Sequence, residues 1–229
     1  MYTKIIWGIR HGENNRQVGL QAGIDDCDLS ENGFRQADTL RERLKGLDPE
    51  VIFVSTMRRA QQTFIRAGVT APRMEADSRT VELGHLHPDI AGIHEPLSPL
   101  LARDRHDAAM TPDESHRVVA FLEDLLACPE RRIMVFSHGA FLSRLLIRFL
   151  GAPEPDWTAL ELANTGMVKM AVTASGERKC LLWNAWTDWP GGDDWSQERV
   201  NHLSTANLPP RAVVEDVTVW CIDKQVNPL

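Results

Sequence analysis

Ile5-Ile6-Trp7-Gly8-Ile9-Arg10-His11-Gly12-Glu13 decides the reading of the chain. A short apolar run breaks off abruptly into charged residues, the pattern of a buried strand whose last positions project polar chemistry from a sheet edge. Ile133-Met134-Val135-Phe136-Ser137-His138-Gly139 repeats the pattern farther on. Twice a strand delivers a histidine followed by glycine, a residue that lets backbone approach closely.

Working outward, Phe34, Ala37, Leu40, Leu44 and Leu47 recur at helical spacing, with Ser30 placed as the cap. Val51-Ile52-Phe53-Val54 predicts a second strand, and Ser55-Thr56 a cap before a helix carrying Met57, Ala60 and Phe64. A weaker strand is expected at 73–76. Pro112-Asp113-Glu114 opens a helix whose apolar stripe runs from Val118 to Leu126, and Phe141, Leu142, Leu145, Leu146 and Phe149 mark another, closed by Gly151. Residues 167–172 and 179–183 predict paired strands across Ser175-Gly176, and 217–222 a further strand. Alternation followed by a terminal hairpin predicts an α/β sandwich, mostly parallel with antiparallel edge strands, holding its ligand at the strands' carboxyl ends. The Pro-rich stretch at 85–111 is expected to be an insertion over the site, and 184–212, with Trp186, Trp189 and Trp195, an irregular Trp-rich segment of one domain spanning 1–229.

Composition excludes several classes of function. With 229 residues, 43% of them hydrophobic, the chain is long enough for one substantial core. Its 25 Lys and Arg against 32 Asp and Glu leave a net charge of -7, so no overall positive field favours nucleic acid or anionic lipid, and an anionic substrate needs a local cationic cluster. The run from Ile5 to Ile9 is too short for a signal-peptide core, and no stretch reaches the roughly 18 to 20 apolar residues of a membrane span. Cys27, Cys128, Cys180 and Cys221 form neither a CxxC pair nor a disulfide framework. A cytoplasmic protein is expected, without nucleic-acid or membrane partners and with its oligomeric state left open.

The polar motifs occur as an ordered set: Arg10-His11-Gly12-Glu13, Ser30-Glu31-Asn32-Gly33 with Gln36-Ala37, Ser55-Thr56-Met57-Arg58-Arg59-Ala60-Gln61-Gln62-Thr63, and Ser137-His138-Gly139. In this order the sequence resembles the histidine phosphatase superfamily, the phosphoglycerate mutase-like family, and its phosphatase branch in particular. The likeness covers about the first two thirds of the chain by motif. It implies a three-layer α/β/α sandwich with a mostly parallel mixed sheet. It also implies that His11 takes the phosphoryl group, that Arg10, Arg59 and His138 surround the phosphate oxygens, and that Glu82 donates the proton to the leaving oxygen. Gln17 stands where many relatives carry an asparagine toward the phosphate. Asp113-Glu114-Ser115-His116-Arg117-Val118 is similar to the family's helix-opening Gly-Glu-Ser segment, and Asn201-His202-Leu203 to a late element of its phosphatase branch.

The chemistry fits these residue types. A neutral imidazole attacks phosphorus in line and splits hydrolysis into two displacements. Neighbouring guanidinium groups keep that imidazole neutral and stabilise the charge on the equatorial oxygens. A carboxylic acid protonates the departing alkoxide and, as carboxylate, activates water. Asp77, Asp89 and Glu95 compete with Glu82 for that role, because Leu83-Gly84-His85-Leu86-His87 departs from the family pattern. His85, His87 and His94 with Glu82 could make a metal cluster, but their spacing matches no closed zinc site and they read as surface histidines. Cys27 reads as a packed thiol and Arg58 as a surface or packing residue. The expectation is a phosphomonoester hydrolase acting on a small phosphorylated metabolite, with no metal and no cofactor. A phosphoglycerate mutase-type phosphotransferase and a noncatalytic phospho-ligand-binding protein are the alternatives. Against the mutase, the chain lacks the Arg-His-Tyr-Gly continuation after Glu82 and the Trp-Asn pair after the nucleophile that mark that branch.

Overall fold

Strand β1 (Tyr2–Arg10) is apolar on both faces because both are covered. Ile5, Trp7 and Ile9 pack with Leu40, Leu44 and Phe64 on one side, and Ile6 packs with Val118, Phe121, Phe141 and Leu142 on the other. The computed structural model describes residues 1–20, 26–84, 101, 114–153 and 160–185. The remaining elements are α1 (Glu31–Arg43), β2 (Val51–Val54), α2 (Arg58–Ala67), β3 (Arg73–Ala76), a 3-10 turn (Ser78–Thr80), α3 (Glu114–Ala127), β4 (Arg132–Ser137), α4 (Gly139–Leu150), β5 (Met167–Thr173) and β6 (Arg178–Ala185).

The six strands form one sheet in the order β3-β2-β4-β1-β5-β6. The first four of that order run parallel, and β5 and β6 are antiparallel. One core layer joins the sheet to α1 and α2, the other to α3 and α4. This is the expected three-layer α/β/α sandwich with a mixed sheet. Gly8 marks how closely α4 lies on it: a Cβ there would sit 2.8 Å from the Leu142 side chain and 2.7 Å from Val168. Phe121 stacks edge-on against both Phe53 and Phe141, tying α3 to the sheet and to α4.

Ser30 caps α1 as expected, accepting from Gly33 N at 3.0 Å. The cap expected of Ser55-Thr56 is corrected. Helix α2 starts from Met57 without a side-chain cap; the Ser55 hydroxyl lies 2.8 Å from His138 Nε2 and accepts from Met57 N at 3.3 Å, one residue ahead of the helix. Glycines in left-handed conformation close α2 (Gly68, φ 65°) and α4 (Gly151, φ 67°), where a Cβ would be strained. Trp183 packs into the core from β6. The insertion expected at 85–111 lies outside the described residues apart from Leu101, and so do the strand at 217–222, Asn201-His202-Leu203 and the Trp-rich segment beyond Ala185. Among the described residues no helix is long and apolar enough to cross a membrane.

Candidate active site

The register of the central strands builds the site. Arg10 of β1 pairs with Ser137 of β4, so the next residue of each strand, His11 and His138, leaves the sheet at the same level. Their rings lie 5.0 Å apart, centroid to centroid. His11 N donates to Ser137 O at 3.0 Å, and His11 O accepts from Thr165 N and from Asn164 Nδ2, both at 3.2 Å, fixing the residue from both sides.

His11 is 2% exposed. Its Nδ1 lies 2.7 Å from the Gly12 carbonyl oxygen, which can only accept, so Nδ1 carries the proton and Nε2 the lone pair. Arg59 Nε donates to that Nε2 at 3.3 Å. Burial, and then the charges of Arg59 and Arg10, push the His11 pKa well below the usual imidazole range, against the opposing bond to Gly12. The nitrogen facing the cavity is therefore an unprotonated base at neutral pH.

The loop that carries His11 is held by the motifs that the sequence set beside it. Gly12 N donates to Thr63 Oγ1 at 3.0 Å, Ser30 Oγ to Glu13 Oε1 at 2.6 Å, and Glu13 N to Gln36 Oε1 at 2.8 Å. Gly12 and Gly33 let this loop touch the start of α1: a Cβ on Gly12 would lie 2.6 Å from Gly33 O. On α2, Gln62 and Arg58 both hold Asp28, which fastens the segment bearing Cys27 against the helix.

Glu82 follows the 3-10 turn, and its Oε1 accepts from Leu83 N at 3.0 Å and from Phe141 N, in the first turn of α4, at 3.1 Å. One carboxylate oxygen is thus anchored while the residue still lines the cavity. Arg10 donates from Nη1 to Leu162 O, and the Glu82 and Glu161 carboxylates oppose the lowering of its pKa by burial. His138 Nε2 lies 2.8 Å from Ser55 Oγ.

A cavity of about 340 Å³ is lined by Arg10, His11, Asn14, Arg16, Gln17, Cys27, Arg59 and Glu82. Arg10, His11, Gln17, Arg59 and Glu82 of the residues expected from the sequence line it, whereas His138 is fully buried behind His11 and is not part of the lining. Gln17 lines it with its amide engaged by Asn164 (Nε2 to Oδ1, 3.1 Å) and by Asn14 N (3.0 Å). Asp77 is turned elsewhere, paired with Arg79 at 2.7 Å, while Asp89, Glu95, His85, His87 and His94 lie outside the described residues. Arg58 pairs with Asp28, as a packing residue would. No sequence pattern marks Asn14 or Arg16, and Ser55, though it opens one of the ordered motifs, carries no local sign of its contact with His138. Loop residues show no periodicity, and a serine ahead of a helix reads as a cap. Cys27, read as a packed thiol, is buried but also walls the cavity.

Ligand-capable atoms of His11, Glu82 and His138 lie within 4.8 Å of one another, close enough to bind a metal ion. Arg10 and Arg59, which line the same space, disfavour a cation there and favour an anion. What the arrangement can do chemically is receive a small tetrahedral anion against a neutral imidazole, three arginines and a carboxyl group.

A sheet with this strand order, with two strand-end histidines side by side and one of them facing a cavity lined by three arginines, defines a class of phosphate-handling α/β proteins. The model of the histidine phosphatase superfamily (branch 1) matches residues 6–185, and the chain belongs to that family. Its relatives include the glucosyl-3-phosphoglycerate phosphatase of Mycolicibacterium vanbaalenii, 28% identical over 189 residues that cover 71% of this chain and 82% of that one. The Proteus mirabilis protein named "Probable phosphoglycerate mutase GpmB" is 29% identical over 221 residues, covering 89% and 96%. Among solved structures, a mycobacterial glucosyl-3-phosphoglycerate phosphatase with VO3 shares the fold at a TM-score of 0.58 and 22% identity, over 80% of this chain and 99% of that one.

Proposed function

We propose that the protein is a metal-independent phosphomonoester hydrolase that acts on a small phosphorylated metabolite through a phosphohistidine on His11. The observation that carries this reading is the neutral Nε2 of His11, held against Arg59 in a small cavity that Arg10 and Glu82 also line. The lone pair of Nε2 attacks phosphorus as the ester P–O bond breaks. Arg10, Arg59 and His138 hold the equatorial oxygens, and Gln17 lies at the cavity's edge. Glu82, acting as a carboxylic acid, gives a proton to the departing alkoxide. In the second step Glu82 takes a proton from water, whose oxygen displaces His11 from phosphorus. Inorganic phosphate leaves, and histidine is again neutral.

Two cationic guanidiniums supply the charge that a divalent ion would otherwise bring, which supports chemistry without metal. The test is a panel of phosphomonoesters with excess chelator, followed by rapid quenching. We expect turnover under chelation and an acid-labile, base-stable phosphoenzyme that is absent from His11→Ala. Activity restored only by a divalent ion, or a labelled His11→Ala protein, would overturn the mechanism. Following released phosphate and positional isomers in one reaction distinguishes the mutase: we expect free phosphate to exceed isomer exchange even with bisphosphoglycerate present.

A further inference from the structure

Arg117 belongs to the helix-opening segment singled out in the sequence and lies outside the cavity. It sits in the first turns of α3, 2% exposed. Its Nη1 donates to Arg79 O at 2.8 Å and to Val81 O at 2.5 Å, and its Nη2 to Glu82 O at 3.3 Å. Three carbonyls of the four residues ending at Glu82 therefore converge on one guanidinium. The same group lies over the Phe141 ring at 5.9 Å, and Phe141 N holds the Glu82 carboxylate. Arg117 thus contacts the peptide of Glu82 directly and touches the residue that anchors its side chain.

This matters because Glu82 sits in no regular element: the 3-10 turn ends at Thr80, and the chain turns again at Leu83-Gly84, with Gly84 at φ 77°. Without a ladder of its own, the backbone of residue 82 takes its place from side-chain bonds. Ser137 Oγ, donating to Thr80 O at 2.6 Å, and Arg79, paired with both Asp77 and Asp124, fasten the start of the turn. Of these three side chains, Arg117 is the one that reaches the Glu82 carbonyl itself.

We propose that Arg117 is a positioning residue whose forked guanidinium sets where the Glu82 carboxyl stands relative to the leaving oxygen. The proposal rests on Glu82 being the proton donor. A lysine keeps the buried charge, but its single ammonium nitrogen cannot stand where both Nη1 and Nη2 of Arg117 stand. Arg117→Lys should then misplace the acid and leave His11 and the arginines where they are. The loss should appear where protonation is needed, with alkyl phosphates, and much less with nitrophenyl phosphate, whose leaving group needs little help.

The experiment measures the single-turnover rate of His11 phosphorylation by an alkyl and by a nitrophenyl phosphate in wild type, Arg117→Lys, Arg117→Gln, Glu82→Gln and the Arg117→Lys/Glu82→Gln double variant. We expect Arg117→Lys to slow the alkyl ester about 10- to 100-fold more than the aryl ester, and to add no further discrimination in the Glu82→Gln background. Equal losses on both esters in the Arg117 variants, with discrimination retained in Glu82→Gln, would make Arg117 a structural residue and refute the positioning role alone. Equal losses in Glu82→Gln would refute the proton-donor reading and this proposal with it. Failure of both Arg117 variants to fold would assign the residue to folding and refute the positioning role as well.

Discussion

Gly33→Ala tests the closest backbone crossing of the site. A Cβ at residue 33 would stand 1.8 Å from the Glu13 carbonyl oxygen and 2.8 Å from its carbon, whereas real Cβ contacts stay beyond 3.0 Å. The two backbones must part by at least the difference, 1.2 Å by these distances. The bond from Ser30 N to Glu13 O, 2.9 Å long, bridges the same crossing and cannot survive such a separation intact. If the movement falls on the Glu13 side it carries Gly12 and His11, and a misplacement of about 1 Å costs on the order of 100-fold in rate. Forcing atoms into a packed contact costs about 1–3 kcal/mol more in stability. We expect Gly33→Ala to lower the urea midpoint by a corresponding amount and to slow phosphoenzyme formation on His11 by about 30- to 100-fold. Gly46→Ala is the control. A Cβ on Gly46 would have nothing within 4 Å, but the residue's φ is 78°, so the variant should lose stability with the phosphorylation rate unchanged. A Gly33→Ala protein with wild-type midpoint and wild-type rate would refute the reasoning.

The depressed pKa of His11 predicts a stability slope. Between its folded pKa and the ordinary value near 6.5 the unfolded chain binds a proton that the folded one does not, so stability is present above that value and falls with pH by about 1.4 kcal/mol per unit. Denaturant unfolding of wild type against His11→Gln from pH 7.5 to 5 should show this extra loss in wild type only, and parallel curves would count against it. Removing Arg59 removes the second-largest cause of that depression, so the acid limb of aryl-phosphate turnover should move to higher pH in Arg59→Gln; a limb that stays or moves lower would contradict the electrostatics. Ser55→Ala leaves His138 without its 2.8 Å hydroxyl partner, and should cost about 1–3 kcal/mol of stability together with a loss in kcat/KM, read by thermal unfolding and steady-state assay. Inorganic phosphate should raise Tm in wild type and much less in Arg59→Gln, because the anion binds the folded cavity alone.

The strands and helices were legible because their apolar spacing reports burial. Ile5 to Ile9 and Ile133 to Phe136 are buried on both faces and read as continuous apolar runs. That His11 and His138 stand side by side is a fact of strand pairing, which no local pattern carries; only the ordered motifs and their family likeness joined them. The work of Ser55 was hidden because the local rule for serine before a helix predicts a cap and carries no sign of the tertiary contact its hydroxyl makes with His138. Arg117 was equally opaque: an arginine at the opening of an amphipathic helix reads as solvated, and its burial follows from carbonyls 35 to 38 residues away in the chain. Asn14 and Arg16 reach the cavity through loop geometry that composition does not encode.

The place of β1 between β4 and β5 also governs how the molecule is made. On the ribosome β1 emerges well before either neighbour, and for about 120 residues of synthesis it is a two-sided apolar segment whose native partner strands are not yet made. The α1–β2–α2 unit can gather on one side in that interval, but the sheet has no centre until β4 arrives to part β1 from β2. Chaperone capture or misassociation of the nascent chain would therefore concentrate on β1 until β4 is made.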